Sequence, residues 1–189
     1  MALLAIMAAL AAAPPSASDH MFQTFQAMCI STAGDPTAST KAADRAGWTT
    51  PPEEALQSLA AGADDPKSFQ ARALKTSGGF MILQVDRSSR LINGKPLTEN
   101  HCQLASTDGD YASVLTLAKT WAGVPAAPGP KVSEGAMFVF AEERGAHVAV
   151  PPAEFERATG EFLSSHRVTE LMVYNLSRGP SLRLDSPVR

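Results

Sequence analysis

The sequence predicts an α+β domain, with N-terminal helices packed on an antiparallel sheet of about five to seven strands and one or two further helices inserted. Three observations carry this. Apolar residues recur at helical spacing from Phe22 to Leu59, and from Ser68 the period switches to alternation. Turn signals at Gly78-Gly79, Glu143-Arg144-Gly145 and Arg178-Gly179-Pro180 then divide the alternating part into hairpins. With 189 residues, 44% hydrophobic and 19% charged, the chain is long enough to bury one core. We read 19–189 as a single domain, its helical part 19–62 and its sheet part 66–189, behind a signal peptide at 1–18.

The signal-peptide reading rests on the unbroken apolar run from Ala2 to Ala13, followed by the small residues Pro14-Pro15-Ser16-Ala17-Ser18. The run is too short to span a bilayer comfortably, and the mature chain carries no transmembrane segment. No Lys or Arg precedes it, and the alternative is an alanine-rich N-terminal helix that stays on the protein. Cleavage near Ala17 or Ser18 would leave Ser18 or Asp19 free to cap the first helix.

In that helix Phe22, Phe25, Met28 and Cys29 recur three or four apart while Gln23, Thr24 and Gln26 take the other face, so Cys29 points inward. Gly34 stops the helix, and Asp35-Pro36 caps and restarts a second one, which ends at Gly47 and delivers Trp48 at a chain reversal. Thr50 with Pro51-Pro52-Glu53-Glu54 starts a third helix, closed by Gly62 and by Asp64-Asp65-Pro66, which read as solvated loop charge at a candidate hinge.

Phe69, Ala71 and Ala73 alternate, and Gly78-Gly79 leads into Phe80-Met81-Ile82-Leu83-Gln84-Val85, apolar on both faces and therefore an interior strand. Arg87, Arg90 and Lys95 line a polar loop around Asn93-Gly94. The strand His101-Cys102-Gln103-Leu104-Ala105 follows. Asp108-Gly109-Asp110 opens the strongest helix, with Tyr111, Val114, Leu115, Ala118 and Trp121 on its stripe and Gly123 at its end. A proline-rich connection from Pro125 to Pro130 precedes a hairpin built on Ala136 to Phe140 and His147 to Val150. A short helix from Ala153 to Leu163, weakened by Gly160, and a last hairpin around Arg178-Gly179-Pro180 complete the chain.

Cys29 and Cys102 are the only two cysteines. A bridge between them would staple helix to sheet, closing a loop on the order of 70 residues and stabilising by about 4 kcal/mol. The alternative is two unrelated buried thiols, and the choice turns on whether the chain reaches an oxidising compartment.

Chemistry is less legible. A net charge of -3 without a Lys/Arg block excludes a generic nucleic-acid binder. None of His20, His101, His147 and His166 has a partner at a metal-ligand interval on a helix, so no zinc motif is present. His101 and Cys102 are neighbours on a strand and point to opposite faces, which argues against a thiol–imidazole pair. Asp108 and Asp110 lack the glycine and terminal glutamate of a calcium loop. Ser164-Ser165-His166 lacks the glycines of a hydrolase elbow. Gly78 and Gly79 precede no helix that would hold a phosphate. Trp48 and Trp121 read as core plugs. No cofactor motif emerges.

Together, the helix with Phe22, Phe25 and Cys29, the Gly34-Asp35-Pro36 stop and restart, the Gly47-Trp48 pair and the Cys102-Gln103-Leu104 strand resemble a group of small exported bacterial proteins of unassigned function. The likeness runs in order through most of the mature chain. It implies export and a Cys29–Cys102 bridge; it implies no activity, so no functional residue is carried over.

The expectation is a periplasmic or secreted, non-enzymatic binding or interaction module, meeting a protein or small-molecule partner of the cell envelope through a sheet face or through Arg87, Arg90 and Lys95. The competing expectation is a hydrolase whose site assembles only in the fold, for example from a histidine with Asp86 or Glu99. Its mark would be a pocket that brings a histidine, a carboxylate and a nucleophile within hydrogen-bond reach.

Overall fold

The computed structural model describes residues 15–127 and 135–188. The apolar run Ala2 to Ala13 and part of the Pro125 to Pro130 connection lie outside the described residues.

Helix α1 (Ala17–Phe25) starts on a capping box: Ser16 Oγ accepts from the Asp19 N–H, and Asp19 Oδ2 accepts from the Ser16 N–H. The cap is therefore Ser16, not Ser18 or Asp19. Asp19 closes the box, and Ser18 is buried with its hydroxyl accepting from the Asp110 N–H at 3.0 Å. The helix continues through a π-helical turn, Gln26–Ile30, in which Met28 and Cys29 both face inward. Gly34 ends it at φ +66°, donating to the Cys29 carbonyl at 2.8 Å; an added Cβ would lie 3.4 Å from the Cβ atoms of Asn100 and Cys102. The chain thus passes directly over the sheet.

Asp35 caps α2 (Pro36–Arg45) by accepting from the Ala38 N–H. The Trp48 N–H bonds back to the Ala43 carbonyl, and Trp48 is buried. Helix α3 (Glu53–Ala60) lies beside the first strand and has no buried residue.

The strands are β1 (Gln70–Lys75), β2 (Phe80–Ile92), β3 (Lys95–Ser106), β4 (Gly135–Glu143), β5 (Ala146–Ala149), β6 (Thr169–Leu176) and β7 (Gly179–Pro187). They form one seven-stranded sheet in the order β1-β2-β3-β7-β6-β4-β5, antiparallel throughout. Helix α4 (Tyr111–Ala122), capped by Asp110, connects β3 to β4. The expected helix over Ala153 to Leu163 is split into α5 (Pro152–Phe155) and α6 (Gly160–Ser165). Gly160 starts α6 because the backbone presses on β3 there: a Cβ would sit 2.5 Å from the carbonyl oxygens of Lys95 and Pro96.

The expected loop of Arg87, Arg90 and Lys95 is corrected. β2 and β3 pair along their whole length around a two-residue Asn93-Gly94 turn, both residues at positive φ, so Arg87 and Arg90 are strand residues and Lys95 opens β3.

The alternation of each strand gives the sheet two unlike faces. Under α1, α2 and α4 lies the main core, in which Phe25, Met28, Trp48, Val85, Leu104 and Leu182 are all buried. Cys29 and Cys102 are bonded there, with sulfurs 2.01 Å and Cα atoms 5.5 Å apart, so the helix is stapled to the sheet. The second face carries a smaller apolar cluster, Leu97, Met137 and Val139 under Ala158, Leu163 and Val168. Between this cluster and an apolar row of Ala73, Ile82 and Ala105, that face carries polar and charged side chains.

Candidate functional site on the second sheet face

Strand pairing builds this site. In the register, Asp86 of β2 lies opposite His101 of β3, His101 opposite Asp185 of β7, and Asp185 opposite Glu170 of β6. Directly opposed residues share a face, so one row across four strands holds three carboxylates and an imidazole. Asp86, His101 and Asp185 are all buried, as is Glu99 on the neighbouring row. Such groups are rarely buried without partners.

His101 is the hub. Its Nδ1 lies 2.8 Å from Asp185 Oδ1 and its Nε2 2.7 Å from Ser88 Oγ. An ionised carboxylate can only accept, so Nδ1 carries the proton and donates to Asp185; in the neutral ring Nε2 then accepts from the Ser88 hydroxyl. Arg183 approaches Nδ1 to 3.0 Å, but its hydrogen bonds go to Asp185 Oδ1 at 2.7 Å and Asp64 Oδ2 at 2.6 Å. Asp64 Oδ2 is 3.8 Å from His101 Nε2. Beside this group, Arg90 donates to the buried Glu99 at 2.8 Å and lies 3.7 Å from Glu170.

Ionisation follows from these contacts. Burial pushes the Asp185 carboxyl up, but the His101 hydrogen bond and the Arg183 charge outweigh it and hold the group below the usual carboxylate range. Burial pushes His101 down, and Asp185 outweighs that, leaving the imidazole above its ordinary value. Asp86 is raised, first by burial, because His101 and a single backbone N–H offset it incompletely. Glu170 rises to about 7, first through burial and then through the Asp185 and Glu99 charges beside it.

The residues expected from sequence fall into different places. Cys102 faces the core and His101 the opposite side, as the strand alternation implied. Arg87 points to the helical side, bonding Asp35 at 2.7 Å and Asn100 at 2.8 Å, whereas Arg90 belongs to the charged face. The Asp64-Asp65 pair is not free loop charge: Asp64 holds Arg183, and the Asp65 N–H donates to Asp86 Oδ2 at 3.2 Å. Asp185, Arg183 and Ser88 were missed; their signal was only alternation, because a register between strands far apart in sequence cannot be read from one chain. Trp48 is a core residue, while Trp121 is partly buried at the rim of a second site.

That second site is a cleft of about 90 Å³ on the helical side, lined by Ile30, Trp121, Phe140, Glu142, His147 and Arg167 among others. The His147 ring packs 4.2 Å from Phe140 and 4.7 Å from Trp121, centroid to centroid. The space is well below the roughly 300 Å³ at which small-molecule pockets begin.

Among the described residues, Asp64, Asp86 and His101 form a group able to hold a metal ion, with their donor atoms all within 4.8 Å of one another. The Ser88–His101–Asp185 chain has the connectivity of a nucleophile, base and orienting acid. Comparison with family profiles, with curated proteins and with solved structures finds no match. Fold and site together define an α+β protein with a disulfide-anchored helix and a histidine-centred charged sheet face. No helix among the described residues is long and apolar enough to cross a membrane.

Proposed function

We propose that the protein is an exported, non-enzymatic binding module, periplasmic or secreted, whose recognition surface is the charged face around His101. One observation carries the reading: buried Asp86, Glu99, His101 and Asp185 occupy positions that apolar residues would fill at lower desolvation cost, held by Arg90 and Arg183. The carboxylates Asp64, Asp86, Glu99, Glu170 and Asp185 outnumber the guanidinium groups Arg90 and Arg183, so the face favours a cationic ligand. The disulfide supports an oxidising compartment.

The test is an amide chemical-shift titration of the intact protein with a Lys/Arg-rich peptide and with spermidine, against a Glu-rich peptide as control. Shifts concentrated at Ser88, Glu99, Asp185 and Glu170 with the cationic probes, and weakened by salt, support the reading. Silence on this face, or equal response to the acidic peptide, overturns it.

The Ser88–His101–Asp185 chain favours a second reading, a hydrolase. Its weakness is electrostatic. An acyl-transfer site needs donors where negative charge develops, yet the carboxylates of Asp64 and Asp86 lie beside the imidazole instead. Stoichiometric labelling of Ser88 by a fluorophosphonate, lost in His101→Gln, would establish it; an unlabelled Ser88 rejects it.

A further inference from the structure

We infer that Asp64, Asp86 and His101 are ligands of a divalent first-row transition-metal ion of the zinc type. The inference rests on the binding reading above and names the ligand class of that face.

The donors come from three places in the chain: the loop after α3, strand β2 and strand β3. Their ligand atoms converge to within 4.8 Å. One ring nitrogen with two carboxylates is a donor set that suits zinc or its neighbours, whereas calcium and magnesium take oxygen alone.

Two further observations point to an ion. Asp86 is 7% exposed, and the only hydrogen bond it receives from the described residues is the 3.2 Å contact from the Asp65 N–H, on Oδ2. A carboxylate so buried ordinarily fills its acceptor sites. Here Oδ1 takes no hydrogen bond from the described residues and is not sealed from solvent, so it stands open to a cation. The second observation lies behind the ring: Asp185 takes the Nδ1 proton at 2.8 Å, which leaves the lone pair on Nε2, 3.8 Å from Asp64 Oδ2. Carboxylate–imidazole pairs of this kind fix the tautomer of metal-bound histidines and raise their basicity.

Ser88 Oγ, 2.7 Å from Nε2, lies along that lone pair. On binding, the ion takes the lone pair and the hydroxyl turns to a ligand water. Asp64 Oδ2, 3.8 Å from Nε2, also accepts from Arg183 at 2.6 Å, so a bound ion shares that carboxylate with the guanidinium. Three protein ligands leave one tetrahedral position to water, an open site to which an outside donor can add.

Calorimetric titration of the chelator-stripped full chain with ZnCl₂, with CaCl₂ as control, tests the assignment. The expected result is one Zn²⁺ per chain, no response to Ca²⁺, and binding weakened about tenfold or more in Asp64→Asn and in Asp86→Asn, variants that keep the shape of each side chain. Asp185→Asn, a positioning change, is expected to weaken binding about ten- to a hundredfold while the Zn²⁺ still shifts the His101 Nε2 resonance. His166→Ala, outside the site, leaves affinity unchanged. Absence of stoichiometric Zn²⁺ binding, or binding indifferent to Asp64→Asn and Asp86→Asn, overturns the assignment. If Zn²⁺ fails while the basic peptide still perturbs the face, the metal assignment falls and the binding module stands; if both fail, both fall.

Discussion

Glu170 offers the sharpest quantitative handle on the charged row. Its side chain is 12% exposed and directly opposes Asp185, so ionising it places like charges side by side in a desolvated setting; Arg90 at 3.7 Å only partly compensates. The carboxyl accordingly rises from 4.5 to about 7. A group whose folded value lies above its unfolded one keeps its proton in the native state while the unfolded chain releases it. Stability therefore falls as pH climbs from about 4.5 to about 7, and the penalty is complete above that window. At roughly 1.4 kcal/mol per pH unit the rise corresponds to about 3 kcal/mol. Glu170→Gln keeps the shape and removes the charge. It should be nearly neutral at about pH 4 and stabilise by up to about 3 kcal/mol at about pH 8.5, or roughly 6–12 °C in Tm for a domain of this size. Thermal unfolding of both proteins in EDTA at the two pH values measures this. A variant less stable than the parent at alkaline pH, or the same difference at both, would refute the reasoning.

Three other outcomes are expected. Cys102→Ser, or reduction of the bridge across its 73-residue separation, should cost about 4 kcal/mol and lower Tm by on the order of 10 °C, read by calorimetry with and without reductant; equal melting points would contradict it. Gly160→Ala should destabilise by about 1–3 kcal/mol in urea unfolding, because its methyl meets the Lys95 and Pro96 carbonyls at 2.5 Å and backbone must move; an unchanged midpoint would count against that close approach. The His101 ring should titrate above 6.5 by NMR, so its share of stability is present below pH 6.5 and lost as pH rises through the folded value; Asp185→Asn should bring the midpoint down.

Much of the fold was legible because its signals are local. Helical spacing of Phe22, Phe25 and Cys29, the Asp35-Pro36 restart and three hairpin turns each act over a few residues, and the structure contains all of them. The alternation that placed His101 and Cys102 on opposite faces is equally local. What escaped depends on distant partners. Arg87 and Arg90 looked like loop charge because β2 is polar beyond Val85; that half forms a strand because Arg87 reaches Asp35 and Asn100 while Arg90 reaches Glu99. Asp64 gave no sign of its role, since Arg183 lies 119 residues away. A site whose members come from four strands and a loop has no spacing to find.

The sheet order puts β7, its last strand in sequence, between β3 and β6. It alone joins the β1-β2-β3 hairpin stack to the β6-β4-β5 stack, and it brings Asp185 to His101. Without β7 the sheet would be two halves with bare edges at β3 and β6, and joining them depends on contacts between residues far apart in sequence. The strand that joins the halves is also the one that gives the imidazole its carboxylate, so the orientation of His101 reports a joined sheet.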